Sequence, residues 1–220
     1  MLVISGASYT AGIAARNAGA YLLRQLLIDN LRPTLSGPRN LLRLELPPAV
    51  AAVFGRQVLR PASVLIPLLD ADGGIEVLFT QRSPELRVHA GQISFPGGSR
   101  DDTDRDPVET ALREAEEEIG LLRDCVRVLG MLDDYPTGTG YRVTPVVGLV
   151  PADASVRADG VEATALLKVP LLHLLDTRNY RTGTFVREGI ELPFLEIFWD
   201  GHRIWGATAG MLHNLATRLS

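Results

Sequence analysis

Apolar residues recur every three or four positions over residues 21–31 (YLLRQLLIDNL), with Leu22, Leu23, Leu26, Leu27 and Leu31 on one side and Pro33 following as a stop. This spacing predicts an amphipathic helix, which either caps the core or meets a partner chain such as a second copy. Five prolines from Leu31 through Pro61 inclusive predict an irregular connection, with a short helix over 49–54. From Ser63 the texture changes to short β-rich runs. Strands are expected at 63–69 and 75–82, joined through Asp72-Gly73-Gly74 as in a hairpin. Further strands are expected at 92–95, 126–132, 143–150, 184–187 and 194–199, and helices at 107–119, 170–175 and 208–219. Without a regular βαβ repeat, the pattern predicts a mixed β-sheet with helices on both faces, an α/β/α sandwich, and not a doubly wound parallel sheet.

At 220 residues the chain can bury one sizeable core. Residues 62–220 are expected to form one domain, and residues 1–61 an N-terminal extension containing the 21–31 helix. A net charge of −4 argues against a broad nucleic-acid footprint but leaves room for a local basic pocket. The single cysteine, Cys125, excludes an internal disulfide and a thiolate metal cage. No eighteen-residue apolar run and no basic start with an apolar core is present, so no membrane association and a cytoplasmic location are expected. His173, His202 and His213 are too widely spaced to suggest a zinc site. Trp199 and Trp205 are expected in the core.

The chemistry is concentrated on the 107–119 helix. Asp106-Pro107 supplies an N-cap and a first-turn proline, and Gly120 supplies the stop. At 100° per residue, Val108, Ala111, Leu112, Ala115 and Ile119 face the core, Glu109 and Glu116 face solvent, and Glu114, Glu117 and Glu118 share a third arc. Like charges at these spacings repel, and the helix C-terminus disfavours carboxylates, so something positive should compensate. Arg113 reaches Glu109 and Glu117 at i−4 and i+4, which does not neutralise the cluster. Hard oxygen donors in this arrangement suit Mg²⁺ or Mn²⁺. Upstream, Phe95-Pro96-Gly97-Gly98 brings a strand into a turn that permits close backbone approach.

Together, Gly98, Asp104 and the run Arg113-Glu114-Ala115-Glu116-Glu117-Glu118-Ile119-Gly120-Leu121 resemble the Nudix box. Two features depart from its general form: Asp104 replaces a glutamate, and eight residues instead of seven separate it from Arg113. Both match the coenzyme A diphosphatase subgroup of Nudix hydrolases, and the stretch from Leu78 through Gln81-Arg82-Ser83-Pro84-Glu85-Leu86-Arg87-Val88-His89-Ala90-Gly91-Gln92 to Gly98 is similar to that subgroup's signature. Ser99 stands where the subgroup usually has lysine. The resemblance continues through Tyr141 to Gly148 and Arg203 to Thr208, so it covers roughly 63–219.

The resemblance implies the Nudix fold and hydrolysis of coenzyme A, or its acyl or oxidised forms, to adenosine 3′,5′-bisphosphate and 4′-phosphopantetheine or a derivative. It implies Glu114 and Glu118 as principal ligands of Mg²⁺ or Mn²⁺, Glu117 as a shared ligand, and the backbone carbonyl of Gly97 or Gly98 completing the shell. Arg113 would orient the glutamates, and Glu114, Glu117 or Glu162 would serve as general base. Arg82, Arg87 and Arg142, with His89 behind them, are the candidates for binding the anionic substrate. Alternatives of the same fold are hydrolysis of another diphosphate, such as ADP-ribose, and a module that binds a nucleotide or coenzyme A without turnover.

Overall fold

Two long parallel strands organise the chain in a computed structural model, which describes residues 19, 21–31, 58–71, 73–85, 90–187 and 190–220. Strand β1 (Arg60–Ala71) and the later strand Tyr141–Pro151 pair in continuous register from Arg60↔Tyr141 to Asp70↔Pro151. Strand β2 (Gly74–Arg82) returns antiparallel from a tight turn, with Ala71 opposite Gly74. Then follow β3 (Ile93–Ser94), β4 (Gly97–Ser99), β5 (Arg127–Met131), β6 (Tyr135–Pro136), β7 (Tyr141–Pro151) and β8 (Ala163–Pro170). These eight form a mixed sheet of order β3-β2-β1-β7-β5, in which β4 pairs with β1, β6 with β7 and β8 with β2.

Alternation along the strands sends side chains to two separate cores. Leu65 and Leu69 of β1, with Val146 and Val150 of β7, meet Ala111, Ala115 and Ile119 of the helix Pro107–Ile119. Ala62 and Ile66, with Val143 and Val147, face the opposite layer. That layer contains helix α1 (residues 21–31), α3 (Leu171–Leu175) and α4 (Ala207–Leu219), and the glutamate-rich helix Pro107–Ile119 is α2. The architecture is therefore the expected α/β/α sandwich.

Helix α1 caps this second core. Leu27 and Leu31 are fully buried in it, and Arg24 Nε donates to Asp70 Oδ1 at 2.7 Å at the end of β1. Tyr21, Leu22 and Leu26 remain exposed, so Leu22 and Leu26 do not join Leu27 and Leu31 on the buried side as the spacing predicts. A second sheet of three antiparallel strands, β9 (Arg181–Arg187), β10 (Ile190–Trp199) and β11 (His202–Trp205), closes the same layer through the buried Ile197 and Ile204. Among the described residues, no helix is long and apolar enough to cross a membrane.

Several expectations need correction. Strand β8 was not predicted: its burial does not alternate cleanly, and Leu166-Leu167 followed by Lys168 breaks the period of two. Strands β4, β6 and β11 were also unpredicted, and with two to four residues each they are too short to show a period. Trp205 is half-buried on the outer face of the small sheet and not in the core, whereas Trp199, on the face of Ile197, packs against the core as expected. Trp205 shares its outer face with Phe194 under the Arg203 guanidinium, and Trp199 packs against His173. The helix expected at 49–54 lies outside the described residues.

If α1 belongs to the core, Leu27→Ala should cost about 2–5 kcal/mol of unfolding free energy in a denaturant titration. Leu22→Ala, on the exposed side, should change it by less than about 0.5 kcal/mol. Equal effects would place the helix outside the core.

Candidate active site

Helix α2 is well terminated at both ends. Asp106 accepts the Glu109 amide at 2.9 Å, Pro107 occupies the first turn, and Gly120 adopts a left-handed φ of 65° that lets its N–H reach Glu116 O. Ala111, Ala115 and Ile119 are buried and Val108 and Leu112 partly so, which fixes the rotation of the helix and hence the direction of its glutamates.

The third arc then divides. Glu118 is buried at 6% exposure, Glu114 is intermediate, and the Glu117 side chain remains 60% exposed. Arg113 lies between them. Its Nη1 donates to Glu114 Oε1 at 2.9 Å and Glu117 Oε2 at 3.0 Å, while its Nε and Nη2 form a fork on Asp104 at 3.1 and 2.9 Å. Nη2 also donates to the Ser99 carbonyl at 3.1 Å. The expected reach from Arg113 to Glu109 is not made. Arg105 takes Glu109 at 2.9 Å, and Arg113 turns the other way because Asp104 offers two oxygens.

Asp104 is almost fully buried, so its carboxylate requires this partner. The Arg113 hydrogen bond holds the Asp104 carboxyl well below its ordinary range, and Asp104 in turn raises the proton affinity of Arg113 further. The turn before α2 brings Asp104 into reach, since the Asp101 amide donates to Asp104 Oδ2 at 2.9 Å and Arg100 Nη2 donates to the Asp104 carbonyl at 2.9 Å. A shorter acidic side chain with one extra residue before Arg113 thus still closes the ion pair.

Gly98 of β4 sits directly against Glu114: any Cβ there would collide with the Glu114 carboxylate. Burial raises the Glu114 carboxyl above its ordinary value, partly offset by Arg113. Glu118 is shifted further, to about 8, first by burial and then by the charge of Glu162; Arg82 opposes this, Glu114 adds to the rise, and the Gly97 amide lowers it least. Strands β2 and β4 and the loop before β8 therefore converge on one turn of α2. Sequence reasoning had not identified Asp159 in that loop. Burial works against its charge, but the amides of Ala163, Glu162 and Val161 outweigh this and hold its carboxyl below the usual value. The Asp159-Gly160 pair was the available signal, as an acidic residue before a glycine commonly accepts amides within a turn.

The substrate-binding candidates separate. Arg82 ends β2 beside Glu118, and its Nε is buried with no hydrogen-bond partner among the described residues. Arg142 is opposite Pro61 in the β1 and β7 register, next to the Ala62↔Ser99 pair, and its half-exposed guanidinium lies 3.5 Å from Asp134 Oδ2. Arg87 and His89 fall outside the described residues.

Among the described residues, no three acidic, imidazole or thiolate groups already stand together as a metal cage. Glu114 and Glu117 are turned toward Arg113. The donor set nevertheless fits a hard divalent cation: carboxylate oxygens, a glycine cradle that brings backbone against Glu114, and a buried Glu118 short of positive charge.

A carboxyl raised from 4.5 to about 8 on folding penalises the metal-free protein fully above pH 8. Between pH 8 and 4.5 the folded state alone takes up the proton, so stability rises as pH falls through that window, by up to roughly 5 kcal/mol. Asp104 has the opposite sign, but its contribution is lost only below the ordinary carboxylate range. Glu118→Gln should therefore raise the metal-free melting temperature at pH 8.5, by about 2–4 °C per kcal/mol recovered, and flatten the dependence down to pH 5. A lower melting temperature for the variant at pH 8.5 would contradict a buried, undercompensated charge.

A family model described as NUDIX domain matches residues 59–166, which include β4, α2 and Glu162. A protein of Escherichia coli, named uncharacterized Nudix hydrolase NudL, is 41% identical over 160 residues, covering 73% of this chain and 83% of its own length. A Shigella boydii serotype 18 protein of the same name matches to the same extent. Among solved structures, a Caenorhabditis elegans Ap4A hydrolase binary complex aligns with a TM-score of 0.42 at 19% identity, over 50% of this chain and 80% of that one. With the identity to NudL spanning most of both proteins, the chain belongs to the Nudix hydrolase family.

Proposed function

We propose that this Nudix hydrolase cleaves the diphosphate linkage of coenzyme A, or of its acyl or oxidised derivatives, to adenosine 3′,5′-bisphosphate and 4′-phosphopantetheine or its derivative. The observation that carries the reading is Arg82. It lies within the Leu78 to Gly98 run that resembles the coenzyme A diphosphatase signature, beside Glu118, with a buried Nε that no described group satisfies. A buried donor left unpaired costs about 1–3 kcal/mol, a cost that an anionic ligand oxygen would remove.

Glu114 and Glu118 are the principal ligands for Mg²⁺ or Mn²⁺ in this reading, with Glu117 shared and the Gly98 carbonyl completing the set. The bound cation supplies charge neutralisation of diphosphate oxygens and makes water a better nucleophile. Arg113 holds Glu114 and Glu117 in place through its fork on Asp104. Since Arg113 engages those two glutamates, Glu162 is the carboxylate left to accept the proton of the attacking water as the bridging P–O bond breaks toward the leaving phosphate. Arg82 binds the diphosphate, and Arg142, more exposed at the sheet end, is suited to the 3′-phosphate; Arg87 and His89 remain candidates on their sequence positions.

Chromatography of products after incubation with Mg²⁺ or Mn²⁺ should show adenosine 3′,5′-bisphosphate chiefly from coenzyme A. Turnover of ADP-ribose or a nucleoside triphosphate in its place would discard the coenzyme A assignment, and binding without product would favour a non-catalytic module. Arg82→Ala should lower kcat/KM for coenzyme A by about 10- to 150-fold, the loss of a charge-assisted hydrogen bond of roughly 1.5–3 kcal/mol. An unchanged value would remove Arg82 from the site.

A further inference from the structure

The loop between β7 and β8 carries Glu162, and its hydrogen bonds show how that residue is placed. Helix α2 ends with the carbonyls of Glu118 and Ile119 beyond the reach of its own amides, and they accept from Asp159 N at 3.0 Å and Arg157 N at 2.9 Å. Asp159 is thus tied by its backbone to Glu118. Its side chain gathers the amides that follow: Oδ1 accepts from Val161 at 3.1 Å, Glu162 at 3.1 Å and Ala163 at 2.8 Å, and Oδ2 accepts from Glu162 at 3.2 Å. Gly160 N donates to Ala163 O at 2.9 Å and closes the turn. From the β2 side, the amide of Ser83, next to Arg82, donates to Glu162 O at 2.8 Å.

We propose that Asp159 is a positioning residue for the reaction: its side-chain oxygen folds residues 159–163 into a turn fastened to Glu118, which delivers Glu162 to Glu118 beside Arg82. This rests on the reading of Glu162 as proton acceptor. The amide that caps the last turn of α2 therefore belongs to the same residue whose side chain folds the turn carrying Glu162. Because one residue makes both connections, loosening the turn moves Glu162 relative to α2, and small displacements of a reacting group cost large factors in rate.

The mechanism makes a distinction between charge and geometry. Oδ1 receives three of the four contacts, so an asparagine oxygen can hold the turn without a negative charge, whereas alanine leaves the amides of Val161, Glu162 and Ala163 to solvent.

The test is steady-state kinetics with Mg²⁺ and coenzyme A on the full chain carrying Asp159→Ala, Asp159→Asn, Glu162→Gln, or Asp159→Ala with Glu162→Gln. Glu162→Gln should lower kcat by about 100-fold or more. Asp159→Ala should lower kcat by about 10- to 100-fold with KM within about 3-fold, and Asp159→Asn should recover most of that loss. In the double variant, Asp159→Ala should cost less than about 3-fold beyond Glu162→Gln, because both act through the same carboxylate. Amide hydrogen exchange should show faster exchange at 161–163 in Asp159→Ala with the α2 amides unchanged, which separates a released turn from a failure to fold.

Full multiplicativity of the two substitutions would overturn the proposal, as would an asparagine variant as poor as the alanine one, or a fully active Asp159→Ala. Exchange accelerated throughout α2 would also overturn it, by making the effect one of global stability. An active wild type with an unaffected Glu162→Gln would instead remove the proton-acceptor reading and this proposal with it. A wild type that hydrolyses neither coenzyme A nor another diphosphate would defeat the parent function itself.

Discussion

Glu114, Glu117 and Glu118 lie in the C-terminal half of one helix, where the backbone dipole itself disfavours negative charge, and the adjoining loop adds the charge of Glu162. The arrangement persists because Arg113 spans the gap between this cluster and Asp104. Its fork on a buried aspartate fixes the guanidinium, so the remaining Nη1 can hold Glu114 and Glu117 without being drawn fully to either. An arginine anchored only on exposed glutamates would be a surface ion pair worth about 0–1 kcal/mol, whereas the desolvated Asp104 makes the geometry costly to abandon. Glu118 is left outside this compensation, and its burial is the cost that a divalent cation would offset.

The sheet is arranged around this helix. The odd-numbered positions of β1 bury Leu65 and Leu69 against Ala111, Ala115 and Ile119, which sets the rotation of α2. The same strand accepts β4 along its first residues, Ala62 to Val64, and β4 brings Gly98 against Glu114. One strand therefore fixes both the helix and the backbone that approaches it. The other core, filled by α1, α3, α4 and the small sheet, buttresses β1 and β7 from behind and contributes none of the glutamates.

The long elements were legible in the sequence because each carries a sustained apolar run or stripe between clear stops. The bounds of α1, β1, β2 and α2 agree with the structure to within a few residues, although Leu22 and Leu26 of the α1 stripe are exposed. Strand β8 was not legible because it is an edge strand on β2 whose partial exposure blurs the two faces, and β4, β6 and β11 are stabilised by neighbours and not by any pattern of their own. The site was legible in residue types but not in partners. Helical geometry grouped Glu114, Glu117 and Glu118 on one arc, yet it could not show that Arg113 would prefer Asp104 to Glu109, since that choice depends on how the 100–106 turn folds back.

The same dependence on partners explains why the loop at 157–163 escaped a reading by motif. Helix α2 needs donors for its last carbonyls, and this loop supplies them with the amides of Arg157 and Asp159. Completing the helix and placing Glu162 are therefore one structural event. A loop of different length could still cap α2, but it would not set Glu162 against Glu118 unless an acceptor like Asp159 followed the capping amide at the same distance along the chain. The spacing between Asp159 and Glu162 is thus constrained from both ends, by the helix terminus on one side and by the Ser83 amide at the end of β2 on the other.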